Sequence, residues 1–316
     1  MVHIREVAET APIEEHQLDY DWRFSRGSGV QFADYTNPSG NILLVGCPSL
    51  APILGELGCS GQLVERNPNY ASGSENFSVV YADLRFDFPV LHESARFNLS
   101  IVDPPWYPQE LLHWTNFGLS QVEIGGSIFF TLWPESVRPS ARSEHRQVLT
   151  AMSKVGRLEQ FGNVSYQLPH FERETFDAVD QPPSQREGLL FRLTKENSQL
   201  LDAPSFQRSS SEWRRFTLSG EQVAVRVGPS DCQIASDDLF EIEPFILKNT
   251  SRRNPILPNI NIWTSKNCAA RLSRPSSIAE GIATQNEASL FMLVEKMKMS
   301  FDPLDVNWGK SWRHPA

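Results

Sequence analysis

Long apolar runs are missing from this chain of 316 residues. No stretch approaches the roughly 18 apolar residues of a membrane-crossing helix, so no membrane role is expected. Cysteine is scarce. The four, Cys47, Cys59, Cys232 and Cys268, form no C-x-x-C pair, so neither a metal site nor a disulfide framework is expected. The opening MVHIREVAETAPIEEHQ is acidic and has no apolar segment of the kind that leads export, so a cytoplasmic protein is expected. Positive charge is short as well: 29 Lys and Arg stand against 38 Asp and Glu, a net charge of −9. Such a balance argues against indiscriminate binding to nucleic-acid backbones. The deficit is uneven. Residues 198–316 carry 14 basic and 13 acidic side chains, which leaves 15 and 25 for residues 1–197. If a polyanion is bound, the later part is the expected surface, although two domains of different composition give the same split.

What is present is ordinary for a globular chain with a sizeable core, 40% hydrophobic and 21% charged. Residues 1–40 read as a lead-in containing LDYDWRF and SRGSG. Strands and helices then alternate. NILLVG (41–46) is a strand ending in glycine, and Leu50, Ile53, Leu54 and Leu57 follow at helical spacing before Gly58. GQLVERN, FSVVYADL and NLSIVDPPW are further strands, ending at Glu65, Asp83 and Asp103. ELLHWTNFGLSQV reads as a helix, SIFFTLWP as a fifth strand and SEHRQVLTAMSKV as a helix. GRLEQFGNVSYQL and GLLFRLTK read as a closing pair of strands, and 177–188 as an exposed loop. Alternation of this kind implies a mainly parallel sheet covered on both faces, with its ligand beyond the carboxyl ends of the strands. A glycine at the first strand end and acids at the next three suit that place, although a single acid there also serves as a helix cap or turn residue. After residue 197 the pattern shifts to strands with turns (SSSEWRRFTLSGEQVAVRVG, INIWTS) and a helical stretch, SIAEGIATQNEASLFMLVEKMKM.

The stretch FNLSIVDPPWYPQEL poses the functional question. Pro104 and Pro105 lack backbone donors and fix φ, so the strand must stop and Asp103 and Trp106 are held at its tip. What Asp103 and Trp106 are aimed at is the question this stretch raises.

DPPW resembles the D/N/S-P-P-aromatic motif of class I S-adenosylmethionine-dependent methyltransferases that methylate nitrogen. Because ILLVGCPSLAP precedes DPPW, the order is unpermuted. The set LDYDWRF, FADYTNP, ILLVGCPSLAPILGEL and IVDPPW resembles the elongation-factor lysine methyltransferase family once described as probable N6-adenine methyltransferases, over residues 19–135. The resemblance implies an α/β fold, a Rossmann-like seven-stranded methyltransferase sheet in residues 1–197; the changed pattern of residues 198–316 reads as an appended C-terminal α+β domain for substrate or partner choice. It implies S-adenosylmethionine as cofactor, with Gly46, Cys47 and Pro48 at its methionine end, Glu65 on the ribose hydroxyls, and Asp83 with the Leu84 amide on the adenine edge. Asp103, Pro104, Pro105 and Trp106 would hold the target amine, and Tyr20, Asp21, Arg23 and Phe24 would form a lid or wall. Arg252 and Arg253 of NTSRRNP are candidates for contact with substrate phosphates, or form a solvated turn. The turn GCPSLAP departs from G-x-G-x-G, because Pro48 and bulkier neighbours leave fewer donors for a cofactor. The expected reaction is N-methyl transfer. Adenine N6 in a nucleic acid is the first choice of acceptor, a protein lysine the second, and a catalytically silent interaction scaffold the third reading.

Overall fold

In a computed structural model of the chain, the described residues are 16, 18, 22–36, 41–67, 74–91, 97–167, 186–203, 205–206, 210–218, 221–228, 239–247, 254–284, 293, 296–297 and 313–315. The chain divides into two units, Trp22–Gln207 and Met1–Asp21 with Arg208–Ala316. The division expected from sequence was 1–197 and 198–316; the described His16 and Leu18 pack with residues of the later unit.

The first unit runs β1 (Arg23–Phe24), α1 (Arg26–Tyr35), β2 (Asn41–Val45), α2 (Leu50–Glu56), β3 (Ser60–Glu65), β4 (Phe77–Tyr81), β5 (Phe97–Val102), α3 (Pro108–Gln121), β6 (Val122–Leu132), α4 (Ala141–Met152), β7 (Gly156–Gln167) and β8 (Arg186–Lys195). The strands form one sheet in the order β1-β7-β8-β6-β5-β2-β3-β4. β4, β3, β2, β5 and β6 are parallel, while β8 runs antiparallel between β6 and β7. Alternate residues of β2 face opposite cores. Leu43 and Val45 pack with Leu111, Leu112 and Phe117 of α3 and Val148 of α4, whereas Ile42 and Leu44 pack with Phe32 of α1 and Leu50 and Leu54 of α2. Both faces of the sheet are therefore covered by helices, which is why its central strands read as nearly continuous apolar runs.

The sheet has eight strands rather than the seven expected. The extra one is β1, paired antiparallel to the edge of β7 through Arg23↔Gln167 and Phe24↔Tyr166. Helix α1 also went unread, because RGSGVQFADY carries two glycines. It forms because Ser25 caps it, accepting from the Ser28 amide at 3.2 Å. Gly29 then lets it approach α2 closely: a Cβ there would lie 2.7 Å from Ile53. Residues 177–188 were read as a loop; 177–185 lie outside the described residues, and Arg186 already opens β8.

The second unit is a six-stranded antiparallel sheet made of β9 (Glu212–Leu218), β10 (Glu221–Val227), β11 (Phe240–Ile246), β12 (Ile262–Thr264), β13 (Cys268–Leu272) and β14 (Arg313–Pro315), in the order β11-β13-β12-β10-β9-β14. Helix α5 (Pro275–Ala283) packs Ile278 and Ile282 on Val223, Val225 and Ile262. On the other face, Leu18 packs with Trp213, Ala224 and Trp263. His16 is fully buried there. Its Nδ1 accepts from the Leu18 amide at 3.0 Å, so Nε2 carries the proton and donates to the Trp263 carbonyl at 2.9 Å.

Burial, then the nearby Arg215 charge, hold the His16 imidazole well below its usual 6.5, against a smaller opposing effect of the Trp263 hydrogen bond. The native state therefore keeps His16 neutral, whereas the unfolded chain protonates it near pH 6.5. Below that pH the unfolded state binds a proton that the native state does not. Stability falls with pH by up to about 1.4 kcal/mol per unit. Thermal unfolding from pH 7.5 to 5 should show a steeper loss of Tm in the wild type than in His16→Gln. Equal slopes would remove His16 from the acid response.

Candidate functional site

β2 is the point where the chain turns back. From it the chain steps outward to β3 and β4, then crosses to β5 on the other side. The crevice beyond the carboxyl ends of β2 and β5 is the switch point at which open α/β sheets take ligands. Gly46–Ser49, Glu65, Asp83 with Leu84, and Asp103–Trp106 all follow the ends of β2, β3, β4 and β5, so the topology brings these sequence-predicted residues to one end of the sheet.

The turn after β2 is held tightly. The Gly46 amide donates to the Val64 carbonyl at 2.9 Å. Gly46 has φ +66°, and a Cβ there would lie 2.3 Å from the Trp114 ring and 3.2 Å from the Asp103 carbonyl oxygen. Glycine is thus required both by backbone conformation and by the ring against it. Cys47 is buried with its thiol toward the Ile101 carbonyl. Burial, followed by the charge of Asp103, pushes that thiol well above its ordinary range, so it is no nucleophile. Ser49 Oγ accepts from the Phe24 amide at 3.1 Å and ties the turn to β1. Among the described residues, the N–H groups of Cys47 and Ser49 meet no acceptor.

At the end of β3, Glu65 is buried, and its Oε1 accepts from the backbone amides of Arg66 at 2.7 Å and Asn67 at 2.8 Å. The carboxylate is oriented by the turn that follows it. Asp83 is gripped instead. Arg85 donates Nε to Oδ1 at 3.0 Å and Nη2 to Oδ2 at 2.6 Å, and its amide reaches Oδ1 at 3.2 Å. Burial works to raise the pKa of Asp83, but the hydrogen bonds and charge of Arg85 prevail and lower it. The Leu84 amide has no acceptor among the described residues, while its carbonyl accepts from His113 at 2.7 Å.

DPPW forms the far wall. The Asp103 amide donates to the Val45 carbonyl at 3.0 Å, the last rung of the β2–β5 ladder. The two prolines end the strand, and the Tyr107 amide closes a tight turn on the Pro105 carbonyl at 2.6 Å. Pro108 at the start of α3 completes the exit. Asp103 Oδ1 accepts from Thr131 Oγ1 at 3.0 Å and from the Tyr166 hydroxyl at 2.8 Å. Oδ2 has no partner among the described residues. Burial raises the carboxyl to about 7, and the Tyr166 and Thr131 hydroxyls offset part of that rise.

Three rings surround this carboxyl. Trp106 meets Trp22 edge to face at 4.7 Å between centroids and Tyr166 at 5.7 Å, and Trp22 lies 6.0 Å from Tyr166. Arg138 fixes the loop from outside: Nη2 donates to the Trp106 carbonyl at 2.7 Å, Nε bonds Glu144 at 2.7 Å, and the guanidinium lies 4.4 Å from the centre of the Trp133 ring.

Thr131, Tyr166, Trp22 and Arg138 were missed from sequence. Tyr166 and Val164 alternate inward on β7, a signal that marks a core face and nothing more specific. Of the expected lid, Phe24 is buried and stacked on Tyr166 at 4.7 Å, and Arg23 is held in β1. Tyr20, Asp21, Arg252 and Arg253 lie outside the described residues. Among the described residues no group of three or more His, Cys, Asp or Glu is arranged to hold a metal ion, and no helix is long and apolar enough to cross a membrane.

The turn and the acids also bear on S-adenosylmethionine. An open glycine turn with two spare amides suits the methionine end, a preoriented Glu65 carboxylate suits a ribose diol, and the spare Leu84 amide suits a ring nitrogen of adenine. Asp83 fits less well, because Arg85 already occupies both of its oxygens.

No protein-family model matches the chain, and no curated protein sequence matches it. Solved structures similar to it include the YcgJ protein of Bacillus subtilis, at 9% identity and TM-score 0.40 over 55% of this chain and 100% of that one. The N-methyltransferase NodS of Bradyrhizobium japonicum with S-adenosyl-L-homocysteine is 13% identical, with TM-score 0.38 over 54% and 86%. TrmN of Thermus thermophilus is 14% identical, with TM-score 0.35 over 54% and 48%.

Proposed function

We propose that the chain is an S-adenosylmethionine-dependent methyltransferase acting on an amine nitrogen. The observation that carries this is Asp103: a carboxyl at the switch point, tied through one oxygen and open at the other, inside a ring of aromatic side chains. The cofactor supplies an electrophilic methyl carbon, whose sulfur keeps the bonding pair as a neutral thioether when the nitrogen lone pair forms the new N–C bond. Glu65, the Gly46–Ser49 turn and the Leu84 amide would hold it. Asp103 Oδ2 and the Pro104 carbonyl accept the amine's N–H bonds and aim the lone pair in line, and a proton leaves the nitrogen to Asp103 or to water. Positioning and a site shielded from water account for most of the rate.

Adenine N6 is the first reading of the acceptor. The base would be single-stranded or flipped, and its ring would take the place of the Trp22 edge against Trp106. A protein lysine is the second reading, favoured by the ionisation of Asp103 near neutrality, since an alkyl ammonium must lose a proton before it attacks. Methylation of RNA, DNA and protein pools with labelled cofactor separates the two. A chain that binds no cofactor at all would be the silent scaffold.

Calorimetry tests the cofactor half. Glu65→Ala removes charge-assisted hydrogen bonds of about 1.5–3 kcal/mol, so affinity for S-adenosylmethionine should fall at least tenfold. Wild-type affinity in a folded Glu65→Ala protein would refute the assignment.

A further inference from the structure

We propose that Tyr166 is the positioning residue of the acceptor site: with Thr131 it holds Asp103 by one oxygen while its ring packs against Trp106, so that one side chain backs both walls of the acceptor site. The proposal rests on reading the DPPW loop as the acceptor site. Its hydroxyl lies 2.8 Å from both Asp103 Oδ1 and Thr131 Oγ1, and its ring meets the Trp106 ring edge to face at 5.7 Å between centroids. An ionised carboxylate can only accept, so the Tyr166 hydroxyl donates its proton to Asp103 Oδ1. Thr131 supplies the second donor to Oδ1 from the neighbouring β6.

The ring of Tyr166 is fixed as firmly as its hydroxyl. It is 1% exposed, stacked on Phe24, and sits on β7 between the partners Phe24 of β1 and Arg186 of β8. With Oδ1 occupied twice, Asp103 cannot rotate its carboxyl without losing both bonds, and Oδ2 is the oxygen left for a substrate. The ionisable groups around Asp103 are the Cys47 thiol from the turn after β2 and Tyr166 itself from β7. Glu65 acts on Cys47, and Arg138 reaches the same loop through the Trp106 carbonyl.

The test uses the full chain as wild type, Tyr166→Phe and Thr131→Val. Two quantities are read: single-turnover methyl transfer across pH 5.5–9, and the titration of the Asp103 carboxyl itself by infrared difference against Asp103→Asn. Both variants keep the shape of the side chain, and each removes one donor that favours the ionised carboxyl. The Asp103 titration and the acidic limb of the rate should each move up by about 0.5–1 pH unit. S-adenosylmethionine affinity should stay unchanged, and acceptor KM should rise in both variants as the Asp103 carboxyl loses one of the two bonds that orient it. Should Tyr166→Phe fail to fold, the titration shift in Thr131→Val still decides the hydroxyl support. A titration that stays at its wild-type position in folded variants overturns the proposal. A wild type that transfers no methyl group to any pool, with the titration shifting as expected, overturns instead the reading on which it rests.

Discussion

Asp103→Asn should lower single-turnover methyl transfer about 10- to 150-fold, the range of a lost hydrogen bond to a charged group, and leave cofactor affinity nearly intact. The amide oxygen can still accept from Thr131 and Tyr166, so the wall keeps its shape. The nitrogen then takes the position of Oδ2 and presents a donor to the amine's own N–H. An interaction made mainly in the transition state shows itself as a loss in kcat rather than in binding. The pH dependence sharpens the test. Burial raises the folded carboxyl to about 7, above its unfolded value, so the native state binds the proton more tightly. Stability is therefore fully present at low pH and declines as pH rises from about 4 toward 7. The activity that needs the carboxylate runs the opposite way and fails below about 7. Asp103→Asn should thus lose the acidic limb and be more stable than wild type at pH 8, by thermal unfolding. Wild-type turnover in this variant would reduce DPPW to a strand terminator.

Trp106→Ala should weaken acceptor binding about 5- to 150-fold if the acceptor is adenine, because base–aromatic stacking is worth about 1–3 kcal/mol. The structure adds a competitor. Trp22 already lies edge to face on Trp106 at 4.7 Å, a pair worth about 0.5–1.5 kcal/mol. Stacking exceeds it, so a base can displace that edge and still gain. Trp106→Phe separates the acceptors. It should cost adenine binding severalfold while an alkyl amine, confined by any aromatic wall, is held nearly as well. The measurement is acceptor KM for an adenine oligonucleotide and a lysine peptide with wild type, Trp106→Ala and Trp106→Phe. Unchanged KM for both substrates in both variants would remove Trp106 from the site.

The sequence displayed what a strand end can display. The apolar runs of β2, β3 and β5 stop at Gly46, Glu65 and Asp103, and the structure brings those ends together at the switch point. It also displayed a change of pattern near residue 200. Hidden were the residues that act from the side. Thr131 and Tyr166 reach Asp103 from strands 28 and 63 residues away, and only strand order makes them neighbours. β1 is two residues long, too short for periodicity, and α1 is held by a serine cap and packing rather than by propensity. Asp83 looked like its fellow strand-end acids until Arg85, two residues on, proved to hold it. The eighth strand and the affiliation of His16 and Leu18 went unread for the same reason: their partners lie far along the chain.

That affiliation bears on the order in which the molecule is made. His16 closes its hydrogen bond on Trp263, 247 residues later, whereas the Trp22–Gln207 unit is one uninterrupted stretch of chain. At about 5–20 residues per second, a ribosome holds the His16 segment for about 12–50 s before its seat exists. The enclosed unit can finish first during that interval. The unit split along the chain is completed after it, and a nascent chain stalled before Trp263 carries one formed sheet and a His16 still without its hydrogen-bond acceptor.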